Sequence, residues 1–446
     1  MDLAPSSRPA AQILDDAVAG RRISAGDALR LLDEPAAAGE PGDHRGHGDH
    51  GEIDLLDLGM AAHAVRNRWN DPEVATYNVD RNINYTNVCV YKCRFCAFYR
   101  VPGDAEGYLL PFEEIGAKVE ETLALNGTGI LMQGGVHPDL PITYYEDLLR
   151  YLRERYPALH IHAFSPPEIK FIARKERMSF YDVIARLKAA GLMSIPGGGA
   201  EILSDETRRR VLAYPKCSAE EWIDIMRQAH RNGLRTSATM MYGMGEGVAA
   251  RVEHFQRIRD LQDETGGFTA FISWTFQHEH TEMPDVPETF ADEYLRTLAV
   301  SRLFIDNVAH FQTSWVTQGK KIGQVALAFG ADDMGSTMIE ENVVASAGTS
   351  YRMSQDEMEH LITAAGYRPR QRTNLYERFV TREDTAALAR QYRHAITPAN
   401  RDLLSPGPGG AGAAANGATP ATSATSATSA TSATSAGSAL LPVLAS

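Results

Sequence analysis

Cysteine is scarce, with four in 446 residues. That density excludes a disulfide-stapled scaffold, which needs far more. Long apolar runs are missing too, and nothing approaches the roughly 18–20 residues that span a bilayer. Met1–Asp15 lacks a basic start followed by an apolar core, so no signal peptide is expected there. Basic residues are outnumbered, 44 against 57 acidic, for a net charge of −13. An acidic chain makes a poor nucleic-acid binder, because that affinity comes from neutralising phosphates. These absences point to a soluble cytoplasmic protein without membrane or nucleic-acid partners.

Charge disappears altogether from 403–446, which holds no Asp, Glu, Lys or Arg and repeats Ala-Thr-Ser from Ala421 to Ser435. So Ala-rich a segment buries too little area to offset its ordering entropy, and a disordered tail is expected. The Ala/Gly/Pro/His-rich stretch 36–52 reads as a flexible linker. Its His44, His47 and His50 suit solvated residues better than metal ligands. Before it, 1–35 reads as a helical segment, with Ser24 a possible N-cap for Ile23–Leu32. After it, 53–402 forms the main domain with a C-terminal extension.

From about residue 80 to 340, short β-branched or aromatic runs alternate with helical stretches. The strand candidates are Ile83–Val88, Gly129–Gln133, His160–Phe164, Leu192–Ile195, Thr236–Met241, Thr269–Trp274, Phe311–Trp315 and Asp333–Thr337. Strand–helix repeats of this number and length predict a (β/α)8 TIM-type barrel, with a doubly wound open sheet as the alternative. A barrel places its chemistry at the C-terminal ends of the strands. Those positions hold Cys89–Cys96, Gln133-Gly134-Gly135, Ser165–Glu168, Pro196–Glu201, Tyr242–Gly245, Phe276–Glu279, Ser314–Gln318 and Gly335–Thr337.

Cys89, Cys93 and Cys96, spaced C-x3-C-x2-C, converge from one loop. Three readings compete: an iron–sulfur cubane with one iron open, a zinc site short of a fourth ligand, and plain structural thiols. Cys217, far off in sequence, reads as an ordinary buried thiol.

With Phe95 before the last cysteine, this motif resembles the signature of the radical S-adenosylmethionine (SAM) superfamily. Asn84–Cys89, Cys96–Arg100, Ile130–Gly135, Ser194–Glu201, Thr236–Tyr242, Asp263–Phe271 and Ser314–Gly319 resemble, more narrowly, the family of cyclic dehypoxanthinyl futalosine synthases of the futalosine route to menaquinone. Aminofutalosine synthases and deazaflavin (FO) synthase subunits share the cysteine motif. The Gly-Gly-Gly-Ala-Glu and Trp-Thr-Phe-Gln segments favour the cyclase. A zinc-stabilised, non-catalytic binding protein is the alternative from another class.

The resemblance implies a [4Fe–4S] cluster on the three cysteines and SAM on its open iron. A 5′-deoxyadenosyl radical would take the ribose C4′ hydrogen of dehypoxanthine futalosine, and the sugar radical would close onto the benzoate ring. Contacts to SAM are expected from Phe95, Gln133, Gly134, Gly135, Ser165, Glu168 and Glu201. Substrate contacts are expected from Ser314, Thr317, Gln318, Ser336 and Thr337. Candidates for the proton acceptor are Tyr242, Gln277, His278, Glu340 and Glu341. A flavodoxin or ferredoxin is the implied electron donor.

Overall fold

The computed structural model describes residues 4–32, 54–349 and 351–404. The linker expected at 36–52, with its three histidines, and 405–446 of the expected tail lie outside them. The strands are β1 (Val74–Asn78), β2 (Asp80–Ile83), β3 (Gly129–Met132), β4 (His160–Ala163), β5 (Ser194–Ile195), β6 (Arg235–Tyr242), β7 (Phe268–Thr275), β8 (His310–Gln312), β9 (Asp333–Ser336), β10 (Arg368–Arg372) and β11 (Phe379–Val380). Helices α1 (Ala10–Val18), α2 (Ala25–Leu32) and α3 (Leu55–Trp69) precede them. Between strands run α4 (Phe112–Ala124), α5 (Ile142–Arg155), α6 (Pro166–Glu176), α7 (Phe180–Ala190), α8 (Asp205–Arg210), α9 (Ala219–Arg231), α10 (Val248–Thr265), α11 (Ala291–Phe304) and α12 (Trp315–Ala326). Helices α13 (Gln355–Ala364) and α14 (Arg382–Gln391) flank the last two strands.

One sheet runs in the order β11-β10-β1-β9-β8-β7-β6-β5-β4-β3-β2, parallel except for β11. Its ends meet, because β1 and β2 are halves of one extended segment. β1 pairs with β9, β2 with β3, and the chain beyond β9 bonds back to β2: Thr337 N–H to the Asn78 carbonyl, Ile339 N–H to that of Asp80, and Asn82 N–H to that of Glu340. The sheet thus curls into the expected TIM-type barrel.

The first strand is a correction. It was expected at Ile83–Val88, but the ladder occupies 74–83, and the chain leaves the sheet at Asn84. Asp80-Arg-Asn82 is a polar run for a strand, yet all three are buried. Two of them have strong partners: Arg81 donates to Glu121 Oε2 at 2.6 Å and to the Lys118 carbonyl at 2.7 Å, both on α4, and Asp80 accepts from Asn78 Nδ2 at 3.0 Å. The strand expected at Phe311–Trp315 also stops early, at Gln312, and α12 begins at Trp315.

The extension supplies a feature that the sequence did not reveal. β10 adds to β1, and the turn after it enters the N-terminal end of the barrel. Arg372 donates to Asp333 Oδ1 at 3.0 Å, while Tyr376 stacks on His310 at 3.8 Å and accepts from Gln312 Nε2 at 2.8 Å. His310 and Asp333 open β8 and β9, so this plug fills the end opposite the strand mouths.

Ser24 caps α2 as expected, its Oγ accepting from Asp27 N–H at 3.1 Å. Four histidines pack into this scaffold, His254 fully buried and His160, His162 and His230 half-buried. Burial pushes His160 and His230 down to about 4 and His162 and His254 down to about 3. In the unfolded chain each protonates below about 6.5, while the folded protein resists, so stability is lost as pH falls from about 6.5. At pH 5.5 each should remove about 1.4 kcal/mol. The thermal midpoint should therefore drop steeply between pH 7 and 5, and a flat profile would contradict this.

Candidate active site

The loop leaving β2 carries the cysteines and is fixed by backbone pairing. Cys89 N–H donates to the Arg100 carbonyl at 2.8 Å, Val90 N–H to Val136 at 3.0 Å, and Cys96 N–H closes a turn on Cys93 at 3.0 Å. Asn87 clamps its far end, donating to the Glu106 carbonyl at 2.9 Å and accepting from Tyr108 N–H at 2.8 Å. All three thiols are free and line one cavity of about 230 Å³ at the strand mouths. Burial pushes Cys93 up to about 12, against the pull of Lys216. Among the described residues, no three His, Cys, Asp or Glu side chains converge on a single ion. A cubane asks for something else, each thiolate on a different iron, which suits three thiols spread along one cavity wall.

Glycines form the floor. A Cβ on Gly135 would lie 2.4 Å from the Val88 carbonyl oxygen, and one on Gly134 would lie 2.6 Å from the Tyr85 ring. Gly199, with φ 79°, presses on Pro167, and a Cβ on Gly198 would lie 2.2 Å from the Gln133 amide. Only glycine allows such approach. Alanine at Gly135 must push back the backbone beside Cys89, a displacement of about 1–3 kcal/mol. The protein should still fold but bind less iron, as anaerobic metal analysis would read; full iron content would refute the clash.

The next wall is electrostatic. Glu201, held at φ 40°, is buried and accepts from Lys216 Nζ at 2.7 Å and Arg208 Nη1 at 3.4 Å. Lys216 sits 5.0 Å from the centroid of Phe95. Its pKa is raised: burial opposes the charge, but Cys93 and Glu201 outweigh it. Arg208 is fully buried and also donates to the carbonyls of Gly199, Ala200, Ile202 and Cys217. It holds the whole glycine loop in place. Trp274, Phe276, Val343 and Val344 supply an apolar wall.

The expected SAM contacts divide. Phe95, Gln133, Gly134, Gly135, Ser165 and Glu201 line the cavity. Glu168 lies behind it, accepting from Tyr85 Oη at 2.6 Å, Ser165 N–H at 2.7 Å and Gly134 N–H at 3.3 Å. It braces two mouth loops and does not line the cavity.

Most proton-acceptor candidates are engaged elsewhere. Glu341 accepts the N–H groups of Val343, Val344 and Ala345 at 3.0, 2.8 and 2.9 Å. Glu340 pairs with Lys118 at 2.9 Å and Arg81 at 3.3 Å. Tyr242 is buried outside the cavity lining, with Arg251 4.4 Å from its ring centroid. Gln277 lines the cavity, and His278 follows it in the same loop.

None of the five expected substrate contacts lines the cavity. Ser314 and Thr317 bond each other at 2.8 Å, Ser336 donates to Asp80, and Thr337 is buried. Gln318 comes nearest, sharing Thr275 Oγ1 with Gln277 at 2.8 and 3.3 Å. The sequence reading missed Lys216, Arg208, Asn84 and Trp274. Lys216 stands beside the dismissed Cys217, and nothing in its local pattern marks it.

Two family models match this chain: one described as the Radical SAM superfamily over residues 83–258, the other as the CofH/MqnC C-terminal region over 265–385. A cyclic dehypoxanthine futalosine synthase of Halalkalibacterium halodurans is 45% identical over 85% of this chain and 98% of that protein. One of Streptomyces coelicolor is 44% identical over 84% and 90%. An aminodeoxyfutalosine synthase of Streptomyces coelicolor follows at 39% over 73% and 87%. Among solved structures, HydG, a maturase of the [FeFe]-hydrogenase, superposes with TM-score 0.63 at 16% identity over 86% of this chain and 80% of that one, a likeness of fold.

Proposed function

The chain belongs to the radical SAM superfamily and, within it, to the family of the cyclic dehypoxanthine futalosine synthases; from that premise we propose that it cyclises dehypoxanthine futalosine in menaquinone biosynthesis. The observation that carries this reading is 45% identity spanning 98% of the relative's length. Enzymes of this superfamily use a [4Fe–4S] cluster and SAM. Cys89, Cys93 and Cys96 would hold the cluster.

When bound, that pair supplies a 5′-deoxyadenosyl radical able to take a hydrogen from the substrate ribose. The chain's own residues have four tasks around it. Gln133, Gly134 and Gly135 would receive the methionine part of SAM, and Glu201 its ribose. Trp274, Phe276, Val343 and Val344 keep water out, which a radical intermediate requires. Fixed geometry decides which hydrogen is nearest. After the sugar closes on the benzoate ring, one proton must leave to a base and one electron to a one-electron carrier, and of the five acceptor candidates we retain His278, which follows the cavity-lining Gln277.

The catalytic part falls in 53–402. No helix among the described residues is long and apolar enough to cross a membrane. A cytoplasmic location, with electrons from a flavodoxin or ferredoxin, fits the reading. The test is anaerobic incubation with reductant, SAM and dehypoxanthine futalosine, expected to give cyclised product and free 5′-deoxyadenosine. Free 5′-deoxyadenosine without cyclised product would sink the substrate; an adenosyl group retained in the product would point to the aminodeoxyfutalosine reaction instead.

A further inference from the structure

The Trp274-Thr-Phe-Gln277 segment is more than a seal against water. Trp274, Phe276 and Gln277 line the cavity, and Thr275 among them fixes the last: its Oγ1 accepts from Gln277 Nε2 at 3.3 Å and from Gln318 Nε2 at 2.8 Å. The alternation of β7 turns Trp274 inward. Phe271, three residues earlier, faces outward against Phe255 of α10, with ring centroids 6.0 Å apart. The cavity that Trp274 meets has two unlike arcs. β2, β3, β4 and β5 are neighbours in the sheet, and the segments that follow them carry the cysteines, the glycines and every ionisable residue of the lining, Glu201 and Lys216 included. The other arc comes from β6, β7 and the chain after β9. It consists of Met241, Trp274, Phe276, Gln277 and three apolar residues of 343–347, with no ionisable group.

Trp274 also differs from the tryptophans of the core. Trp222 and Trp315 are fully buried, and their Nε1–H groups donate to the carbonyls of Gly198 at 3.3 Å and Ser336 at 3.0 Å. Trp274 is half-buried, and among the described residues its Nε1–H has no acceptor and no ring stacks on its indole. A tryptophan packed for stability ordinarily spends its N–H. An indole at a cavity wall with that donor unspent suits a ligand that is flat and carries an oxygen.

We propose that Trp274 seats the benzoate ring of the substrate and so decides which way round the substrate lies. The proposal rests on the cyclase reading. An arc without ionisable groups, with two aromatic side chains on its wall, suits a flat ring and would leave ribose hydroxyls without partners. The polar and charged groups stand on the first arc, beside the cysteines. The ring therefore lies on Trp274 with the ribose toward the cysteine side, and the indole N–H is available to an oxygen borne by the ring. This orientation turns the sugar hydrogen toward the cofactor arc. It also holds still the ring on which the sugar radical must close.

The test titrates the cluster-loaded enzyme with two ligands by calorimetry, in the presence of SAM and without reductant. One ligand is dehypoxanthine futalosine, the other an analogue with a saturated cyclohexane carboxylate in place of the benzoate. Wild type should bind the aromatic ligand about tenfold more tightly than the saturated one. Trp274→Leu should weaken the aromatic ligand by about tenfold and the analogue by no more than about twofold, so that the preference collapses. Trp274→Phe, which keeps a ring, should retain most of it. The Kd for SAM should stay within about twofold in both variants, which also shows that the site is intact. With reductant added, Trp274→Leu should form about threefold or more 5′-deoxyadenosine per cyclised product than wild type does, because a loosely held ring escapes the sugar radical. A wild-type enzyme indifferent to the two ligands, or a preference that survives Trp274→Leu, would overturn the assignment. So would a SAM affinity falling in step, which would place adenine on the indole. A wrong substrate would show differently: wild type would bind neither ligand and give no cyclised product, and the assignment would go with the reading on which it rests.

Discussion

Alanine at Cys89, Cys93 or Cys96 is expected to abolish both cyclised product and 5′-deoxyadenosine, whereas alanine at Cys217 leaves both standing. The three line one cavity wall and sit in a loop whose backbone is tied to Arg100, Val136 and Val211. Each thiolate would take a different iron, so removing one leaves a corner of the cubane without a protein ligand. Iron should fall well below about four per chain, measured anaerobically alongside sulfide. Cys217 contributes differently. It is fully buried, and its carbonyl accepts from Arg208 Nε and Nη2 at 2.7 and 2.6 Å. Those bonds involve its backbone and survive the substitution. Only a sulfur-sized void remains, at about 1 kcal/mol. A folded, iron-replete but dead Cys217→Ala protein would show that the ligand set is wrong.

The mouth glycines and the cysteines were legible because the chemistry of these sites follows the ends of strands, and strands show as apolar runs. β1 and β2 broke that signal. Asp80, Arg81 and Asn82 are strand residues whose partners lie far away in sequence: Ser336 for the Asp80 carboxylate, Glu121 on α4 for the Arg81 guanidinium, and the Glu340 carbonyl for the Asn82 N–H. The plug was hidden likewise: Arg368–Arg372 has no apolar alternation, and the last of its three arginines, Arg372, is matched by Asp333. Two of the proton-acceptor candidates are engaged elsewhere for a related reason. A carboxylate at a strand mouth looks available in sequence, but Glu341 closes a turn and Glu340 faces Lys118 and Arg81. Sequence shows which groups a loop carries, and only the fold shows which of them already have partners.

Arg208 makes the same point in reverse, and its removal should have the second-largest effect. Asp205-Glu-Thr-Arg-Arg-Arg210 gives no sign of which arginine turns inward, yet Arg208 is fully buried while Arg209 and Arg210 are exposed. Its guanidinium gathers the carbonyls of Gly199, Ala200, Ile202 and Cys217 and touches the Glu201 carboxylate. Leucine there would keep most of the volume and strand those oxygens, at about 1–3 kcal/mol for each one left dry. Against a typical total of about 5–15 kcal/mol, that is a large share. The thermal midpoint should fall by about 5 °C or more. SAM affinity, read by calorimetry on the cluster-loaded protein, should weaken about tenfold or more, because the glycine loop and Glu201 lose their common anchor. Lysine keeps the charge but cannot reach so many acceptors from one ammonium. Arg208→Lys should therefore recover little of either loss. Full recovery by lysine would mean that the charge beside Glu201 matters and the fork does not, and the loop would then owe its shape to its glycines and to Lys216 alone.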